Sequence, residues 1–246
     1  MNRLSMSKIG LAYRCSYGFR NDVQAPPRMV GRAARVGSAV HAIVESIVNK
    51  TLLDDTKHDA DILAEAFAIA EGPLAGFVAS RPWTICEVGY RYDSERDACE
   101  RGPRRGEDGY DDVPMHVMHG TVDLVHIEGD EALVVDLKTG KPPEDAEQLY
   151  AQAVAISRAY GVKSARVQYA RALKTKLEIL NDEALDADRL DAEAGRQARL
   201  LRVLPSSEPS PGAHCWKCDA WQSCPAKRDE RGEESYAALE AAGMFA

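Results

Sequence analysis

The stretch GTVDLVHIEGDEALVVDLKTGK, Gly120 to Lys141, constrains the fold of this chain more than any other. Two apolar runs flank the tight-turn sequence EGDE, so the segment reads as two antiparallel strands joined in a hairpin. With Glu128 opposite Glu131, counting back from the turn places Asp123 directly opposite Asp136. Directly opposed side chains have Cβ atoms about 4.5 to 5.5 Å apart, where like charges are destabilising, so something positive is expected between the two carboxylates. Side chains alternate along a strand, which sets Lys138 on the face of Asp136 and Leu137 on the other. Val122, Leu124, Leu133, Val134, Val135 and Leu137 imply a largely buried strand pair, where charges need a partner or a metal.

The bland alternative is a plain hairpin whose carboxylates are solvated, or paired with Lys138 and a nearby arginine. The register, the added lysine and the TGK loop favour a site instead. Two carboxylates with open positions suit Mg2+ or Mn2+, hard ions that prefer oxygen ligands. A metal so held polarises a phosphodiester and activates water near neutral pH, while a lysine orients the nucleophile or stabilises the developing charge.

Around the hairpin the pattern is mixed. Apolar residues at 40, 43, 44, 47 and 48 predict an amphipathic helix over Gly37 to Leu52, and a second helix is expected within Asp59 to Glu71. TICEVGYRY, Thr84 to Tyr92, reads as a strand, and the Gly-rich, charged CERGPRRGEDGYDD after it as an exposed loop. Gly140, Pro142 and Pro143 break the hairpin from an Ala-rich helix over Asp145 to Tyr160. SARVQYARAL and TKLEIL are predicted strands, and Glu183 to Leu204 a polar helix. Helices, then strands, then a helix and more strands indicate a mixed α/β core.

A chain of 246 residues with 45% hydrophobic content can bury one large core or two small ones. No apolar run approaches the roughly 20 residues needed to cross a bilayer, and MNRLSMSKIG lacks the apolar core of a signal peptide, so no membrane association and a cytoplasmic location are expected. The net charge of −8 argues against general attraction to nucleic acid, yet RCSYGFR, PPRMVGRAARVG and YARALKTK are basic and an acidic chain can still present one basic groove. Arg28, Arg32 and Arg35, with Lys141 beyond Lys138, could grip phosphates on either side of a scissile bond. Tyr13, Tyr17, Phe19, Trp216 and Trp221 either stack on unpaired bases or shield the cysteine site near them.

Six cysteines occur, three of them in HCWKCDAWQSCPA with the spacing C-x2-C-x5-C, which suggests a metal. Three thiolates leave such a site one ligand short. Cys15, Cys86, Cys99 and His214 are the candidates for the fourth, and zinc and iron–sulfur are both open on chemistry alone. Cys86 is expected to be buried in its strand and Cys99 to lie on a loop.

The G-x-x-D of Gly120 to Asp123 and the D-L-K-T-G-K of Asp136 to Lys141 resemble motifs II and III of the RecB-like branch of the PD-(D/E)XK nucleases. The resemblance implies a restriction-endonuclease-like fold, a mixed central sheet flanked by helices. It implies that Asp123 and Asp136 are metal ligands, with the Leu137 carbonyl as a third contact, and that Lys138 is the catalytic lysine. GSAVHAIVES resembles the family's G-x-x-x-H helix, with His41 as a further ligand that tilts preference toward Mn2+ and Glu45 one turn on. The following helix should carry Q-x-x-x-Y. Gln148 matches and joins the catalytic set, whereas Gln152 stands where the tyrosine is expected and Tyr150 is two residues early.

LAYRCSYGFR resembles the N-terminal cysteine segment of the iron–sulfur subset of this branch, found in CRISPR-associated and phage-borne exonucleases. By that resemblance Cys15 joins Cys215, Cys218 and Cys224 around a [4Fe–4S] cluster, with Zn2+ as the alternative. Joining Cys15 to Cys215 would close a loop of about two hundred residues and staple both chain ends beside the core. Three parts are therefore expected: 1–36 carrying one cluster cysteine, a nuclease core over 37–204, and a cluster segment with tail over 205–246.

The activity implied is a Mg2+- or Mn2+-dependent deoxyribonuclease, an exonuclease on single-stranded DNA ends serving recombination, repair or CRISPR adaptation. No G-x-x-x-x-G-K-[ST] loop is present, so a helicase motor would come from a partner, as would any CRISPR adaptation protein. Two alternatives stand beside it: a non-catalytic DNA-binding assembly subunit of the same fold, and a zinc-stabilised RNA-processing or structure-specific endonuclease.

Overall fold

The computed structural model of the chain describes residues 4–16, 19, 31–104, 106–143, 145–204, 208 and 224. Six helices are described: α1 (Ile9–Arg14), α2 (Arg32–Asn49), α3 (Ala60–Ala70), α4 (Pro73–Ala79), α5 (Glu147–Tyr160) and α6 (Ala187–Val203). They surround the strands β1 (Ile85–Asp93), β2 (Ala98–Gly102), β3 (Val117–Glu128), β4 (Glu131–Lys138), β5 (Ser164–Ala172) and β6 (Leu177–Leu185). The strands form one sheet in the order β2-β1-β3-β4-β5-β6. Only β4 and β5 run parallel, joined by the crossover helix α5, and every other neighbouring pair is antiparallel. This is the mixed sheet with flanking helices expected from the sequence.

Each face of the sheet has its own core. On one side α2, α3 and α4 bury Val36, Val40, Ile43, Val44, Ile62 and Leu74 against Leu124, Val135, Leu137 and Ala170. On the other, α1, α5 and α6 bury Ile9, Leu149, Val154, Ile156, Leu190 and Leu201 against Val122, Val125, Val134 and Val167. Val36, Val40, Ile43 and Val44 recur at helical spacing, so α2 presents one apolar stripe to the sheet. The hairpin turn is where the sequence places it, with Glu128 paired to Glu131 and Gly129 taking φ +59, a conformation glycine adopts without steric cost.

Two expectations are corrected. The segment read as a loop from Cys99 onward begins as an edge strand, because Ala98–Gly102 pairs with Gly89–Asp93. Its residues are charged and mostly exposed, so no apolar alternation announced it, as is common for sheet edges. Cys99 therefore lies in β2, half-buried against the core on the α5 side, not on a loop. The last helix starts later than expected: Glu183 to Leu185 remain in β6, and the Asp186 side chain accepts a hydrogen bond from the Arg189 amide at 2.9 Å to cap α6.

Candidate active site

The hairpin ladder stops where the two aspartates begin. Paired residues run from Glu128↔Glu131 to Leu124↔Val135, and the next position in that register is Asp123 opposite Asp136. There the Asp123 carboxylate replaces the ladder: its Oδ2 accepts the Leu137 amide N–H at 2.7 Å. A side chain of β3 thus takes the backbone donor of β4, and a charge-assisted hydrogen bond sits where two carboxylates would otherwise repel.

The strand on the other side is perturbed at the same level. Ladder pairs between β1 and β3 are Cys86↔Leu124 and Val88↔Val122, so Glu87 stands opposite Asp123. Glu87 has φ +51, unusual for a residue with a Cβ. Cys86 and Leu124 belong to the core on the α2 side, whereas Val88 and Val122, two residues along their strands, pack into the core on the α5 side. Side-chain alternation therefore breaks at Glu87 and Asp123 together, and Glu87, Asp123 and Asp136 stand in a row across three strands.

From the α5 side, two amides hold Asp136. Gln148 Nε2 and Gln152 Nε2 donate to its Oδ1 at 2.6 and 3.1 Å. Lys138 Nζ lies 2.5 Å from Asp136 Oδ2 and 3.4 Å from Gln148 Oε1. That Oδ2 is buried, and the ammonium is what neutralises it. The expected positive group is present, supplied by the lysine two residues on.

From the α2 side comes His41. Its Nδ1 is 2.5 Å from Glu87 Oε1 and 3.7 Å from Asp123 Oδ1, while Nε2 is 3.1 Å from the Leu137 carbonyl oxygen. Gly37, one turn earlier, lets α2 come close: a Cβ there would lie 2.9 Å from Thr139 Oγ1 in the TGK loop. His41, Glu87 and Asp123 can bring one ligand atom each within 4.8 Å of one another, a group that could hold a metal ion. Asp136, expected at the metal from the sequence, is outside that group; the imidazole, the carboxylates and the Leu137 carbonyl beside them are the mostly oxygen donors that Mg2+ or Mn2+ takes. At 3.1 Å, Nε2 and the Leu137 carbonyl oxygen are within hydrogen-bond distance of each other.

Electrostatics follow from that crowding. Burial pushes the Asp123 carboxyl well above the carboxylate range, with His41 opposing and Asp136 and Glu87 adding to the rise. Burial works against a charged His41, but Asp123 and the Glu87 hydrogen bond overcome it and raise its pKa to about 10. Lys138 is likewise penalised by burial yet held above its ordinary value by Asp136 and Asp123. His41 and Lys138 each leave 26% of the side chain exposed against 1% for Asp136, so the site meets solvent at these two groups.

The remaining sequence candidates are dispersed. Arg32 pairs with Asp61 and Glu65, and Arg35 with Asp59 at 2.6 Å, so both guanidiniums at the start of α2 face carboxylates of α3 or the residue before it. Lys141 is exposed at the end of the TGK loop, and Arg28 lies outside the described residues. Glu45 binds Arg104 at 2.5 Å. Cys15 is buried at the end of α1 and Cys224 is half-buried, whereas Cys215 and Cys218, with Tyr17, Trp216 and Trp221, lie outside the described residues. Glu87 was missed by the sequence reading. A carboxylate between Cys86 and Val88, in the apolar first half of the strand, was the signal that could have found it.

The mixed sheet thus brings Asp123, Asp136 and Lys138 of the opened hairpin together beside His41. The chain matches the family model of the PD-(D/E)XK nuclease superfamily over residues 3–225, and it belongs to that superfamily, whose nucleases use divalent metals. No curated protein matches the chain. Among solved structures it is similar to one titled "Crystal structure of SSO0001", with 14% identity and a TM-score of 0.36 over 92% of this chain and 98% of that chain.

Proposed function

We propose that the protein is a metal-dependent DNA nuclease in which His41, Asp123, Asp136 and the Leu137 carbonyl hold Mg2+ or Mn2+, with Lys138 and Gln148 completing the catalytic set. The observation that carries this reading is the ion pair of Lys138 with Asp136 at 2.5 Å, beside the point where the β3–β4 ladder gives way to the Asp123 carboxylate. The bound ion would polarise the scissile phosphate and activate water.

The chain's own groups have separable tasks. Glu87 accepts from His41 Nδ1, which leaves Nε2 and the Leu137 carbonyl facing the same space. A carboxylate behind a ligating histidine fixes its tautomer and orientation. Asp123 keeps Oδ1 available while Oδ2 is tied to the Leu137 amide. Burial opposes the charged form of Lys138, but Asp136 and Asp123 favour it, and such a charge stabilises phosphate oxygens or orients the nucleophile.

The finer assignments rest on the resemblance and on cysteine spacing: exonuclease action on single-stranded ends, a [4Fe–4S] cluster on Cys15, Cys215, Cys218 and Cys224, and a helicase or CRISPR adaptation protein as partner. Mn2+ titrations with linear single-stranded DNA, circular single-stranded DNA and RNA test the activity, alongside iron and sulfide analysis after anaerobic purification. Cleavage of the linear DNA alone supports an exonuclease. Cleavage of circles or of RNA, with zinc in place of iron, supports the endonuclease alternative. Metal-dependent cleavage that survives Lys138→Ala would overturn the site.

A further inference from the structure

Gln152 stands where the resembled motif has a tyrosine, and its surroundings give it a task of its own. Its side chain is fully buried on α5, one turn after Gln148. Its Nε2 donates both to Asp136 Oδ1 at 3.1 Å and to the Thr121 carbonyl oxygen at 3.2 Å. Both neighbours of that end are acceptors only, which fixes the amide with its NH2 toward them. Thr121 belongs to β3 and Asp136 to β4, and both lie beyond the last ladder pair, Leu124↔Val135.

We infer that Gln152 is a positioning residue: it ties β3 to β4 across the gap in their ladder and thereby sets where the Asp136 carboxylate stands relative to Asp123. Two N–H donors from one side chain are what the geometry requires. A tyrosine hydroxyl has one hydrogen to give and could satisfy Asp136 or Thr121, not both. Gln148 and Gln152 together saturate Asp136 Oδ1 and leave Oδ2 to Lys138 and a cation. This inference rests on the proposed metal site and adds to it the residue that sets its spacing.

The test uses the full chain with Gln152→Met, which keeps an unbranched side chain of similar volume and removes both donors. Mn2+ binding by calorimetry, the Mn2+ concentration for half-maximal cleavage, and KM for DNA are measured at matched folded fraction. The expected result is a loss of Mn2+ affinity of about tenfold, the scale on which outer partners of metal ligands act, with KM for DNA unchanged. Gln152→Asn, whose amide is one methylene too short to reach both acceptors, should show the same direction. A packing role would instead lower thermal stability and leave Mn2+ affinity where it was. Unaltered Mn2+ affinity in the folded Gln152→Met protein would overturn the inference, as would failure of both variants to fold, because that would make Gln152 a residue of the fold. Asp136→Asn run in parallel separates the two levels: if it leaves Mn2+ binding and cleavage intact, the metal site itself is wrong, whereas its inactivity beside an unaffected Gln152→Met protein rejects only the role of Gln152.

Discussion

Glu87 on β1 and Asp123 on β3 face each other at the level where both strands lose their side-chain alternation, with the His41 ring beside them both. Backbone strain, an opened ladder and three carboxylates in a row coincide at this point of the sheet. Strain of this kind persists only where the surrounding structure fixes it, and it gathers at functional sites.

Glu87 acts through His41 in this arrangement. Glu87→Gln keeps an acceptor for Nδ1 but removes the charge that orients and activates the imidazole. Mn2+ affinity should fall by about tenfold while KM for DNA stays the same. Calorimetric Mn2+ binding and steady-state cleavage check this, and a loss confined to DNA affinity would place Glu87 at the substrate instead.

As a proposed ligand, His41 would make metal binding pH-dependent. In the metal-free protein its pKa is raised to about 10, so it is charged at neutral pH and must lose a proton to ligate an ion. Apparent Mn2+ affinity should therefore rise with pH toward about 10, with about one proton or more released per ion bound. Calorimetry in two buffers of different ionisation enthalpy counts the protons, and His41→Gln should lower the count. The same shift has a stability consequence of opposite sense. A histidine raised in the folded state stabilises fully below its ordinary pKa of about 6.5, and that contribution is lost as pH climbs to about 10. Thermal melts of metal-free wild type and His41→Gln across that window should converge at the alkaline end.

Gly89 tests how closely the edge of the sheet is packed near Glu87. A Cβ there would collide with the backbone oxygens of Gly102 and Pro103, which have no flexible end to move. Gly89→Ala should destabilise the fold by about 1 to 3 kcal/mol, read from denaturant midpoints. No change would mean that the Gly102–Pro103 segment gives way freely.

Much of this was legible in the sequence because it was local. The EGDE turn fixed the hairpin register, and with it the opposition of Asp123 and Asp136 and the placement of Lys138. His41 and Gln148 followed from helical patterns and the resemblance. Glu87 was not legible, because its role depends on a positive φ and on pairing with β3, neither of which leaves a periodic signature. Gln152 was read as a departure from a motif, and only the end of the β3–β4 ladder shows what its two donors bridge. The strand β2 was hidden for the opposite reason: an edge strand needs backbone pairing but no apolar face.

The proposed metal-dependent phosphodiester hydrolysis turns on the Asp136 carboxylate with Lys138. Digestion of end-labelled single-stranded DNA with Mn2+ or Mg2+, wild type against Asp136→Ala at equal folded fraction, tests it most directly. Metal-dependent cleavage by the wild type, reduced about a hundredfold or more in the variant, is the predicted result. Equal cleavage by both proteins would contradict it.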